Sequence, residues 1–192
     1  MLGRLVLGPL LGLVISITLG AALIAGGAEI RLSLPGTSIP QTLQTLAVLL
    51  VGGLFGPFAG VLAVLAYLGL GVAGVPVFAD DGAGWARLTG PTAGYLWGFV
   101  GAAAVMGLWP VRRSIAGLAT LLLGALLAHT VVLAAGWWHL SQAIGYVNAF
   151  ERGVEPFLLG ALAKSVAAAL LLWIWRQIRT RLRVPSFLLP PV

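Results

Sequence analysis

Polar residues gather along this chain in short clusters, and long apolar stretches run between them. The first stretch covers residues 5–28, the second 41–55, the third 58–75, the fourth 91–109, the fifth 115–140 and the sixth 156–178. A membrane-spanning helix needs about 20 predominantly apolar residues. The pattern therefore predicts an all-α integral membrane protein, a compact bundle of about six transmembrane helices. Arg4 precedes the first stretch as it would in a secretory signal, but a signal's apolar core is only about 7–15 residues long, so a retained helix is expected. Gly56-Pro57 divides the second and third stretches, and proline cannot continue a preceding helix, so a tight turn is expected there. The second stretch is short enough that, at about 1.5 Å per residue, it barely crosses a bilayer. Pro91 opens the fourth at a favoured first-turn position.

Composition excludes a water-soluble alternative. Of 192 residues, 60% are hydrophobic and 8% charged, against about 25% charged in ordinary soluble domains. The whole chain, 1–192, reads as a single transmembrane domain, since no polar linker divides it. The net charge of +6 does not point to nucleic acid, because the arginines stand at the ends of apolar runs. There they report topology. With the N-terminus inside, the cytoplasmic ends hold Arg4, Arg112, Arg113, Arg176, Arg179, Arg181 and Arg183, and Glu29, Asp80, Asp81, Glu151 and Glu155 all fall outside. Both termini are thus expected in the cytoplasm of a multi-pass cell-membrane protein, most simply in a prokaryotic plasma membrane. The proline-containing tail after Val184 is expected to be irregular and to lie on the membrane surface.

Several residues exceed what packing requires. Lys164, the only lysine, lies inside the sixth stretch, where a mid-membrane lysine costs about 2.5–3.5 kcal/mol. Snorkelling of its long stem to the interface is one explanation; a cation lining an outward-facing cavity is the other. Gln44 stands one turn inside the second stretch, and a buried amide there needs partners. The segment from Pro76 to Thr89 carries aromatics, two carboxylates and glycines, as a lid over a site would, although a solvated loop anchored by Trp85 at the interface explains it as well. Gly8, Gly12, Ser16 and Gly20 form a stripe of small residues that lets a helix approach closely, either within the bundle or from a partner. Trp137, Trp138 and His139 fit an interfacial aromatic belt. His129 has no carboxylate nearby in sequence to make a proton relay.

The missing chemistry narrows function further. No catalytic set, metal-ligating pattern or cysteine is present, and neither cofactor nor metal is expected. Gly160-Ala161-Leu162-Ala163-Lys164-Ser165 lacks the second glycine of a phosphate-binding loop, so the chain has no ATP site of its own. No acidic residue lies within a helix to bind a coupling ion, which argues against a self-sufficient transporter.

Four segments resemble the BioY family: 44–50 (Gln44-Thr45-Leu46-Ala47-Val48-Leu49-Leu50), the Gly56-Pro57 pair, 69–78 (Gly69 to Phe78), and Gly90-Pro91-Thr92-Ala93-Gly94-Tyr95 with the residues to Phe99. The resemblance runs from about Ile39 to Lys164. BioY proteins are the biotin-binding substrate subunits (S components) of energy-coupling factor transporters. The resemblance implies a six-helix protein that captures biotin from outside, while a transmembrane coupling protein and two cytoplasmic ATPases supply energy. It also implies a docking role for the small-residue stripe of the first helix. Gln44, Asp81 (depending on where a gap is placed), Tyr95 and Lys164 are carried over as ligand-binding positions by the resemblance.

Two positions depart from the family pattern. Its sixth helix usually reads Pro-x-x-x-Gly-Asp-x-x-Lys, and this chain has Ala161 in place of the aspartate. Where many members have arginine after Gly-Tyr, it has Leu96, with Arg87 as a replacement charge in the adjacent loop. The expected site therefore sets Lys164 or Arg87 against the ligand's carboxylate or carbonyl. Gln44, Asp81 and Thr92 offer hydrogen bonds, and Trp85 and Tyr95 cover the apolar body. A related vitamin, or a structural membrane protein without a ligand, is the alternative; a membrane enzyme is disfavoured by the poverty of catalytic groups.

Overall fold

The computed structural model describes residues 2–32, 39, 41–109 and 114–182, with side chains at 8–31, 39, 41–109 and 114–179. The sequence readings at Arg4, Arg112, Arg113, Arg181, Arg183, Leu34–Ser38 and the tail after Val184 lie outside the described side chains. Backbone groups in an apolar medium must be satisfied within the chain, and the apolar runs do so as helices. They are α1 (Leu2–Glu29), α2 (Gln44–Val72), α3 (Ala93–Leu108), α4 (Ile115–Ile144), α5 (Tyr146–Gly153) and α6 (Leu158–Leu182). Two short strands, β1 (Arg31–Leu32) and β2 (Gln41–Thr42), pair antiparallel with Arg31 opposite Thr42 and Leu32 opposite Gln41. Single 3₁₀ turns occupy Trp85–Leu88 and Glu155–Phe157.

The helices differ from the predicted set in several places. The second and third runs join as α2, whose backbone leaves the helical region only at Gly56 (φ 79°, ψ 176°). Glycine takes that left-handed φ without Cβ strain, and Pro57 has no N–H to lose at the start of the next turn. The two arms fold back on each other. A Cβ added at Gly60 would meet the Gly52 Cα at 3.0 Å, whereas eight residues along a straight helix span about 12 Å. Gln41, placed at the start of the second run, is instead a strand residue, because the β1–β2 pair satisfies its backbone. α5 was not foreseen: Gly145 (φ 81°) ends α4, and the amphipathic segment that follows turns once more before α6.

By length and composition, four helical stretches can cross a membrane: Gly8–Glu29, Gln44–Val72, Ile115–Ile144 and Tyr146–Arg179. α3, with 16 residues, spans only about 24 Å. α1 packs on α2, α2 on α3, α3 on α4, and α6 closes the bundle against α4 and α2. Val48, Leu49, Val51, Val64, Tyr67, Met106, Leu121 and Leu172 fill the centre.

The small-residue stripe of α1 packs partly inside the chain. Gly12, Ser16 and Gly20 are buried within the chain itself. A Cβ at Gly20 would stand 2.6 Å from the Ala63 Cβ and 3.1 Å from Val51 Cγ1, both on α2. At Gly20 the close approach is therefore made within the bundle, whereas Gly8 has open space around it.

Candidate functional site

The antiparallel path brings the starts of α2, α3 and α6 to one end of the bundle, with β2 and the loop 73–92. A cavity of about 850 Å³, counting its open mouth, lies among them. Ligand pockets are mostly apolar with a few placed polar groups. Here Phe78, Leu96, Phe99, Val132, Leu133, Phe157 and Ala161 supply the apolar wall.

Five of the seven predicted ligand-binding residues line it: Gln44, Arg87, Thr92, Tyr95 and Lys164. Gln44 is only 4% exposed. Its Nε2 donates to the Tyr67 hydroxyl on the other arm of α2, and its Oε1 accepts from Thr42 Oγ1 at 3.0 Å. The Tyr95 hydroxyl donates to the Gly153 carbonyl at 2.6 Å, and its ring faces Phe157 at 6.4 Å. Lys164 turns inward and does not snorkel: its Nζ donates to the Thr42 carbonyl at 3.1 Å. Among the described residues, neither Lys164 nor Arg87 has a carboxylate within ion-pair distance.

Asp81 and Trp85 do not line the cavity. Phe78 and Gly82 exchange backbone hydrogen bonds of 3.0 and 3.2 Å, closing a tight turn over Ala79-Asp80-Asp81. Phe78 is buried edge-on against Tyr67, at 5.4 Å and 84°. The turn then directs Asp80 to the cavity rim and leaves Asp81 in solvent. Asp80 also pairs with Arg31, which ties the loop to β1. In the next 3₁₀ turn Leu88 is buried and Arg87 takes the cavity side, so Trp85 is 61% exposed. The Leu88 carbonyl accepts from Trp97 Nε1 at 3.2 Å, holding the turn on α3.

Sequence reasoning missed the polar residues that most need a ligand. Among the described residues, Gln41 Nε2, Thr45 Oγ1 and His129 Nε2 are buried without a hydrogen-bond partner, and all three line the cavity. Buried polar atoms are nearly always paired, so three orphans around one space mark it as a site built for something polar. Gly160 makes room for one of them: a Cβ there would stand 2.5 Å from Gln41 Cδ. Ala161 and Leu96, the two departures from the family pattern, both contribute apolar surface.

Residues 8–181 match the BioY family. The chain belongs to the BioY family. Among curated relatives, the probable biotin transporter BioY of Pyrococcus horikoshii is 36% identical over 158 residues, covering 81% of this chain and 90% of its own. The biotin transporter BioY of Thermotoga maritima is 36% identical over 160 residues, with 78% and 87% covered. A crystal structure described as the S-component for biotin from an ECF-type ABC transporter has the same fold, with a TM-score of 0.76 over 88% of this chain and 92% of that one, at 22% identity.

Proposed function

We propose that this chain is a biotin-capturing substrate-binding subunit of an energy-coupling factor transporter. The observation that carries the reading is the cavity itself. Two cations without a carboxylate partner, Lys164 and Arg87, and three residues with orphaned hydrogen-bonding atoms line a space whose remaining wall is largely apolar. Biotin fits that chemistry in kind: a carboxylate at one end, a ureido ring with N–H and C=O groups at the other, and an aliphatic body between. The names of the BioY relatives point to the same ligand.

In this reading the two arms of α2 cross separately, giving six transmembrane segments. The cavity opens on the outer face, and both termini lie in the cytoplasm with Arg176 and Arg179. The loop carrying Asp80 and Arg87 closes over the bound vitamin, and Lys164 or Arg87 holds its carboxylate. A transmembrane coupling protein and two cytoplasmic ATPases supply the energy. The chain contains no cysteine, so single cysteines at Ser114 and Val147 would report opposite membrane faces to an impermeant thiol reagent.

The decisive test is equilibrium binding of labelled biotin to the purified protein, with lipoate and thiamine as competitors. Saturable binding tighter than about 1 μM, near 8 kcal/mol, is expected. Displacement of the label by lipoate or thiamine at lower concentration than by unlabelled biotin would reassign the ligand; no binding by folded protein would refute capture altogether.

A further inference from the structure

His129 belongs to α4, and of the α4 residues lining the cavity it lies farthest from the helix end at Ile144. That places it on the floor, beneath Val132 and Leu133. It is 3% exposed. Its Nδ1 lies 2.8 Å from the hydroxyl of Ser165 on α6, which is completely buried. Its Nε2 meets no partner among the described residues. A neutral imidazole has one donor and one acceptor nitrogen. Whichever role Nδ1 takes with Ser165, Nε2 retains one unmade hydrogen bond, on a residue that lines the cavity. Leaving a buried polar atom unpaired destabilises the empty protein, and packing alone would be served better by leucine.

We propose that His129 is a ligand-binding residue. Its Nε2 hydrogen-bonds the flat amide-type head of the bound molecule, and Ser165 acts as a positioning residue that fixes the ring plane. A cyclic urea suits the site because it presents carbonyl and N–H groups side by side, so either tautomer finds its complement. The neighbouring wall offers little competition: position 161, one turn before Ser165 on α6, is alanine. The deep end of the cavity therefore reads the ligand's head through α4. This assignment rests on the biotin reading and adds a specificity-determining residue to it.

The test uses the full chain in lipid nanodiscs with biotin as probe. His129→Leu, which keeps the volume but removes the nitrogen, is expected to weaken binding more than tenfold. The same change should leave the unfolding temperature of the empty protein unchanged or raised, whereas a structural histidine would lower it. Ser165→Ala is expected to weaken binding several-fold in the parent and not at all in the His129→Leu background. The chain has two histidines, so ¹⁵N-histidine labelling gives an independent readout without any substitution that risks folding. Biotin should shift the Nε2 resonance that His129→Leu removes and leave His139 in place. Biotin binding within twofold of the parent in His129→Leu, or an unmoved His129 resonance in biotin-saturated protein, would overturn the assignment while leaving biotin capture intact. Failure of the parent chain to bind biotin would instead overturn the reading on which it rests.

Discussion

Gln44 and Tyr67 stand 23 positions apart on α2, yet the Gln44 side-chain amide donates to the Tyr67 hydroxyl. In a straight helix that separation would span about 35 Å. The bond therefore records the reversal at Gly56 and also fixes the amide at the cavity wall. Tyr67→Phe would leave the Gln44 amide buried and unpaired, at a cost of about 1–3 kcal/mol. Thermal unfolding of the purified variant should show a lowered midpoint; an unchanged midpoint would mean that the bond contributes nothing net.

Lys164→Ala removes a cation that has turned into the cavity without a carboxylate partner. A more than tenfold loss of biotin affinity is expected in equilibrium binding, with the fold retained. Affinity equal to that of the parent chain would take Lys164 out of the site.

Gly160→Ala puts a methyl group where the Gln41 amide now lies. The far end of that side chain is flexible, so the fold should tolerate the change within about 1 kcal/mol. Binding should suffer, because the amide is displaced from the cavity. Titration calorimetry separates the two effects, and undiminished biotin affinity would show that Gln41 is not a ligand contact.

Arg31 and Asp80 form an exposed pair linking β1 to the loop over the mouth. Exposed pairs are worth about 0–1 kcal/mol, so Asp80→Asn should leave the unfolding midpoint nearly unchanged. Ligand release is expected to speed up several-fold in stopped-flow displacement, since one tie on the loop is lost. An unaltered release rate would show that the loop does not limit exit.

Gly20→Val separates the two readings of the α1 stripe. Overpacking against Ala63 and Val51 should destabilise the isolated chain by about 1–3 kcal/mol, whereas Gly8→Val, with open space around it, should not. Equal stability of the two variants would contradict the packing of α1 on α2.

The sequence by itself determined that this chain lives in lipid, where its helical runs begin and end to within a few residues, and that Gly56-Pro57 is a turn. Those features depend on local composition and on the φ limits of glycine and proline. It also marked Gln44, Tyr95, Arg87, Thr92 and Lys164, through family motifs or because charge and amide groups stand out against apolar runs. Only the tertiary structure decided which way side chains face. In a soluble helix the polar face reveals the inside, but in lipid the outward face is as apolar as the interior, so periodicity carries little information. His129, Gln41 and Thr45 became legible only once α4, β2 and α2 enclosed one space and left their polar atoms unpaired. The loop was decided in the same way: the burial of Phe78 on Tyr67 turns Asp80 to the rim and Asp81 to water. The Gly12–Gly20 stripe also looks identical whether it meets α2 or a partner, because a sequence records the capacity for close approach and only the packed bundle shows which helix occupies it.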